Sequence, residues 1–297
     1  MSDPIQQESL TLDDDHVIRY TVVGDLASDK PVLVFIVGSV GLGSFYHRLA
    51  THLSSHFSCV YFNRRGFTET PTEAAPVCTE TSTSELIPQQ ASDAAQLIKE
   101  IKKRTTSPIY SFATSFGATI ALELLISHPH LVNTVILHEP MLPTLLPKTS
   151  PERKKIMDAF EAMQLSNQPF SLFAAALLGE EAASAAKGND FWSQAPPGNF
   201  AQAMKEGPAA NMYQPAIGDI QKASRKLVLM GGVERKGLPV RKMVEALCEV
   251  LPVERRRVYE MPGAHFSFAG GKLAKDSAAC TLSVLGMANA GVATSKM

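Results

Sequence analysis

The chain has 297 residues, 45% of them hydrophobic and 19% charged, with 28 basic and 29 acidic side chains and a formal net charge of −1. This is the composition of a globular protein and excludes a disordered, collagen-like or coiled-coil chain. The even charge balance leaves no field to gather nucleic acid or an anionic membrane, so neither is expected as a partner.

In chain order, Met1 to Glu8 carries no basic region and no apolar run, so a secretory leader is not expected, and no later stretch reaches the roughly 20 apolar residues of a membrane-spanning helix. Cys59, Cys78, Cys248 and Cys280 are widely spaced without a C-x-x-C pair, so free thiols are expected, with no zinc site and no disulfide framework. The first strand signal is Pro31 to Val37, an unbroken apolar run closed by Gly38, followed by a glycine-rich turn and a helix from Phe45 to Ser54. Cys59 to Phe62 is a second strand, Asn63-Arg64-Arg65-Gly66 a turn, and a polar loop leads to a helix over Asp93 to Lys103. Strand Ile109 to Phe112, helix Gly117 to Ser127 and strand Thr134 to Leu137 continue the alternation, which predicts an α/β fold with a mostly parallel sheet covered by helices.

The rhythm breaks after Pro140. From Met141 to Ala223 only helical stretches are found, at Pro151 to Leu165, Pro169 to Leu178 and Phe200 to Lys205, so residues 141–223 are read as a helical cap inserted into a core of residues 1–140 and 224–297. Strand Lys226 to Met230, helix Val240 to Val250, strand Arg257 to Glu260 and helix Lys272 to Met287 complete the core.

The chemistry concentrates at Ala113-Thr114-Ser115-Phe116-Gly117, between a strand and a helix. Small residues two before and two after a serine permit a sharp turn that lifts its hydroxyl out of the sheet at a helix N-terminus, where backbone N–H groups favour developing negative charge. A serine N-cap on an ordinary helix is the simpler alternative. A serine nucleophile needs a histidine to take its proton and an acid to orient that histidine. His265 follows the last strand, and two glutamates compete as the acid: Glu234, four residues past Met230, and Glu139, at the end of the strand beside the nucleophile. Glu234 is preferred, because the order Ser115, Glu234, His265 is the commoner one for such sites.

With Val37-Gly38, Asn63 to Phe67, the elbow at Ala113 to Gly117, Gly231 to Glu234 and Pro262 to His265 in this order, the chain resembles the α/β-hydrolase superfamily over nearly its whole length. The resemblance implies Ser115 as nucleophile, His265 as general base and then acid, Glu234 (alternatively Glu139) as orienting acid, and an oxyanion hole from the backbone N–H groups of Phe116 and Ser39. It implies no cofactor and no metal. Val37 stands where many members carry histidine, and Glu stands where Asp is commoner.

A serine at the elbow implies acyl transfer to water, hence hydrolysis of an ester, lactone or thioester of a small acyl substrate, with candidate lining from the cap at Met141, Leu142, Phe160, Met163, Phe170, Phe173, Phe191 and Trp192. The alternatives are a non-hydrolytic ligand-binding protein or lyase on the same fold, and a nicotinamide or flavin oxidoreductase. The Gly38 to Gly43 spacing is not that of a dinucleotide loop and speaks against the oxidoreductase. His52 and His56 read as a solvated helix face, His138 as a packed histidine, and Arg64 and Arg65 as a surface turn. The terminal Ser295-Lys296-Met297 differs from the S-K-L peroxisomal address only at its last residue. A peroxisomal location through the import receptor is therefore expected, with a cytoplasmic one as the alternative. An acyl-CoA thioester, as in fungal secondary metabolism, would then be an attractive substrate.

Overall fold

A computed structural model describes residues 4–39, 41–69, 82–166, 196–235, 237–269 and 271–287. Eight strands form one sheet: β1 (Ile5–Thr11), β2 (Val17–Val23), β3 (Val32–Ile36), β4 (Ser58–Phe62), β5 (Ile109–Thr114), β6 (Thr134–His138), β7 (Leu227–Gly232) and β8 (Val258–Met261), in the order β1-β2-β4-β3-β5-β6-β7-β8. From β4 to β8 every neighbour is parallel, while β1 and β2 add an antiparallel edge. This is the expected fold class.

The central strands are apolar without alternation because helices cover both faces. All five residues of β3 and of β4 are buried. One apolar cluster joins odd-face side chains such as Ala113, Leu137 and Leu229 to the helices α2 (Leu86–Lys102), α3 (Phe116–Ser127) and α7 (Pro239–Val250). The other joins Phe35, Phe112, Ile136 and Met230 to α1 (His47–Leu53) and α8 (Gly271–Val284).

Outside residues 141–223, two elements differ most from expectation. The β1–β2 hairpin was not expected, since five of the seven residues of β1 are polar and it buries little. Its signal is the alternation in β2, where Ile18, Tyr20 and Val22 are buried while Val17 and Arg19 are exposed, with the turn closed by Asp15 at φ 62° and a Leu12 N–H bond to His16 O of 2.8 Å. Helix α2 begins at Leu86, well before Asp93. Pro88 falls in its first turn, where the missing N–H has no intrahelical partner to lose.

Between β6 and β7 the described residues hold no strand. They hold α4 (Pro151–Ser166), α5 (Pro197–Met212) and α6 (Ile217–Ala223); the expected helix at 169–178 lies outside the described residues. Helices α4 and α5 pack through Phe160, whose ring stands 2.8 Å from where a Cβ on Gly207 would sit. The two ends of this insert are stitched where Thr144 Oγ1 donates to Tyr213 O at 2.7 Å, and the Tyr213 hydroxyl donates to Glu123 of α3 at 2.6 Å. Helix α6 packs on α3 and α7, within the helical layer of the sheet. No helix among the described residues is long and apolar enough to cross a membrane.

Candidate active site

Strand β5 ends at Thr114 and α3 begins at Phe116, so Ser115 alone makes the turn, at φ 56° and ψ −128°. That region is sparsely populated for any residue with a Cβ and persists only where the surroundings enforce it. Here they do. The Ser115 N–H donates to His138 O at 3.0 Å, and its carbonyl accepts from Ala118 at 3.0 Å and Met141 at 3.2 Å. Close approach explains the small residues around it: a Cβ on Gly117 would lie 2.3 Å from Ile36 O, and one on Gly38 would lie 3.0 Å from Ser115 Cβ. The loop after β3 is thereby held against the elbow, beside the Phe116 N–H.

His265 sits in the loop after β8, 2% exposed, and its Nδ1 is 2.6 Å from Glu139 Oε2. The other carboxylate oxygen, Oε1, accepts the Gly232 N–H at 2.8 Å. Burial pushes the Glu139 carboxyl up, but the bond from His265, the electrostatic interaction with the His138 and His265 imidazoles and the Gly232 N–H outweigh it and hold it down at about 2. An ionised acceptor on Nδ1 fixes the proton there and leaves Nε2 bare, which is the tautomer a general base requires. Glu139 takes φ 48° immediately after β6. Of the three non-glycine residues with positive φ among those described, two are therefore Ser115 and Glu139.

Of the two glutamates, the structure places Glu139 against His265. Strand β7 runs on to Gly232 instead of stopping at Met230, so Glu234 falls in a short helical turn beyond the sheet. Its backbone N–H reaches Gly263 O at 3.4 Å, and the residue is exposed. The signal that could have found Glu139 is register: His138 pairs with Met230, which sets the next residue, Glu139, beside the last turn of β7 and the histidine loop.

His138, a packed histidine as expected, is wholly buried, and burial depresses it to about 4, so it is neutral. Its Nδ1 meets Thr114 Oγ1 at 2.9 Å, its ring lies 5.8 Å from that of His265, and its Nε2 has no partner. His138, Glu139 and His265 bring ligand-type atoms within 4.8 Å of one another, but the Glu139 carboxylate is already divided between His265 and Gly232. A cation there would have to displace both. His52 and His56 are exposed, and α1 ends before His56.

Arg64 and Arg65 are not on the surface: they are 2% and 6% exposed. Arg65 forms a two-pronged pair with Asp93 at 2.9 and 2.7 Å and reaches Asp14 at 2.7 Å, tying the turn to α2. Of the expected lining, Met141, Leu142 and Phe160 are packed into the apolar cluster under α3 and α7. The Met163 side chain, Phe170, Phe173, Phe191, Trp192, Cys78 and the terminal Ser295-Lys296-Met297 lie outside the described residues.

Residues 31–270 match the family described as the alpha/beta hydrolase fold. The chain belongs to this family. A relative from Bacillus subtilis, named uncharacterized hydrolase YraK, is 32% identical over 131 residues, a match spanning 43% of this chain and 43% of the relative. Among solved structures, the α/β hydrolase MGS-M2 from a deep-sea metagenome library superposes with TM-score 0.66 at 14% identity, covering 97% of this chain and 100% of that one. A thermostable carboxyl esterase from Bacillus coagulans does so with TM-score 0.65 at 11% identity, covering 95% and 98%. At these identities the two structures establish a shared fold, and the site carries the argument about chemistry.

Proposed function

We propose that the chain is a serine hydrolase that cleaves an ester, lactone or thioester of a mainly apolar small molecule through an acyl-enzyme. The observation that carries this is the buried Glu139–His265 pair, 2.6 Å apart, placed one residue along from His138, whose carbonyl holds the N–H of Ser115. In this reading Ser115 Oγ adds to the substrate carbonyl carbon and its proton passes to His265 Nε2, while Glu139 stabilises the resulting imidazolium through Nδ1–H. The oxyanion is met by the N–H groups of Phe116 and Ser39. Phe116 is the first residue of α3, whose N–H has no intrahelical acceptor, and no described group accepts from Ser39 N–H. The imidazolium then protonates the leaving alcohol or thiol, and water, deprotonated by His265, releases the acid and restores Ser115.

Hydrolase and esterase names among the relatives agree with this reaction class. A thioester substrate and a peroxisomal address at Ser295-Lys296-Met297 belong to the same proposal and rest on the sequence alone. The test is covalent labelling with a fluorophosphonate, followed by a panel of p-nitrophenyl esters, lactones and acyl-CoA thioesters on wild type and Ser115→Ala. Label on Ser115 and turnover lost in Ser115→Ala support the proposal. Folded wild type that takes no label and turns over nothing overturns it, and favours a ligand-binding role.

A further inference from the structure

We propose that Arg64 is a positioning residue for the oxyanion hole, and that Glu206 of the inserted segment sets the hole through it. The inference rests on the serine-hydrolase reading and adds a regulatory link to the same site.

The Gly38 carbonyl is held by three donors: Arg64 Nε at 3.1 Å, Arg64 Nη2 at 2.9 Å and the Gly41 N–H at 3.0 Å. A trans peptide is planar, so its N–H points opposite to its C=O. Clamping Gly38 O toward Arg64 therefore turns the Ser39 N–H the other way, and with no described acceptor of its own that N–H is free for an oxyanion. The same guanidinium lies 5.0 Å from the centre of the Phe116 ring, and Phe116 supplies the other N–H of the hole. One side chain thus binds the peptide that carries the Ser39 N–H and lies against the ring of Phe116.

What holds Arg64 comes from across the molecule. Its Nη2 is 2.8 Å from Glu206 Oε2 on α5, an ion pair of two fully buried side chains. The contact is an ion pair without hydrogen-bond geometry. Its Nη1 donates to Gln90 Oε1, and Gln90 Nε2 donates on to Glu206 Oε1 at 2.8 Å, closing a ring of three residues from the turn after β4, α2 and the insert. Away from water this ring has no cheap alternative partner. Displacing α5 removes the carboxylate and frees Arg64 to leave Gly38 O, whereupon the peptide can rotate and withdraw the Ser39 N–H. Seating of α5 and competence of the hole are then one equilibrium.

The test compares wild type, Arg64→Met, Arg64→Lys and Glu206→Gln, each normalised to folded protein by circular dichroism. The probe is an aryl trifluoromethyl ketone: Ser115 Oγ adds to its carbonyl carbon, the proton goes to His265 Nε2, and the hemiketal oxyanion occupies the hole. Loss of a hole donor costs about 10²–10³ in kcat, and a displaced donor costs less. Arg64→Met is expected to lower kcat and ketone affinity together by about 10²-fold with KM within about threefold. Glu206→Gln, which touches no reacting atom, is expected to lower both by about tenfold, with Arg64→Lys between the two. Should Arg64→Met fail to fold, the Glu206→Gln and Arg64→Lys comparison decides. A fall in kcat with unchanged ketone affinity, or Glu206→Gln indistinguishable from wild type, overturns the inference while the serine-hydrolase reading stands. Wild type that neither binds the ketone nor takes fluorophosphonate removes the reading itself, and the inference with it.

Discussion

Replacing Glu139 by Gln separates the two glutamates cleanly. The wild-type carboxylate accepts on both oxygens, from His265 Nδ1 at 2.6 Å and from the Gly232 N–H at 2.8 Å. Glutamine has the same shape but one acceptor and one donor end. If its oxygen faces Gly232, its NH₂ faces Nδ1, which must then give up its proton; the proton moves to Nε2, and the base can no longer accept from Ser115. If its oxygen faces His265, two donors are opposed at Gly232 in a buried site. The loss is that of a wrong-tautomer triad, about 10³–10⁴ in kcat, or about 4–5 kcal/mol of barrier at 1.36 kcal/mol per decade. Glu234→Gln, altering an exposed side chain, is expected to stay within about twofold, since surface changes seldom reach 0.5 kcal/mol. Steady-state hydrolysis of a p-nitrophenyl ester, with active sites counted by fluorophosphonate, measures both. A Glu139→Gln enzyme within tenfold of wild type, or a larger loss in Glu234→Gln, refutes the assignment.

Backbone strain at the elbow gives a second expectation: Ser115→Ala keeps the φ of 56° with a Cβ in place, whereas Ser115→Gly relieves it, so the glycine variant should exceed the alanine variant by about 1 kcal/mol in urea unfolding. Equal midpoints would show that the turn is unstrained. Gly117→Ala puts a Cβ 2.3 Å from Ile36 O, with only backbone to yield, and should destabilise by about 3 kcal/mol in the same assay. Stability should also depend on pH in two windows. His138 is depressed from 6.5 to about 4 by burial; its contribution is complete above pH 6.5 and is lost as pH falls through about 4, worth about 3 kcal/mol. Glu139, lowered from 4.5 to about 2, contributes fully above its unfolded value and is lost as pH falls toward 2. His138→Leu should flatten the first window and narrow the second, since His138 also helps hold Glu139 down, as read by urea midpoints at a series of pH values. An unchanged first window would mean that His138 is not buried neutral.

What was legible in the chain was what local physics decides. The unbroken apolar run of β3, the small residues flanking Ser115 and the histidine loop after β8 each state their role within a few positions. The acid did not, because its identity depends on where two strands end relative to a third loop. Two further residues of β7, Gly231 and Gly232, move Glu234 out of reach and supply the N–H that holds Glu139. Arg64 was hidden for a similar reason. Arginine in a polar turn is ordinarily solvated, and only the arrival of Gln90 and Glu206 from distant segments makes its burial affordable. The β1–β2 hairpin escaped because an edge strand that buries little carries little apolar pattern.

The stitch between Thr144 and Tyr213, with Tyr213 anchored to Glu123, has a consequence for engineering. It brings Thr144 and Tyr213 together at a fixed point beyond Glu139, which makes the intervening segment a cartridge with a defined socket. Grafts that enter after Thr144 and leave before Tyr213 keep Ser115, Glu139 and His265 and exchange α4 and α5. Such a cartridge is not neutral to the machinery beneath it: each replacement must deliver a carboxylate to Arg64 where Glu206 now stands, and a library built with that single requirement should hold more active members than one built without it.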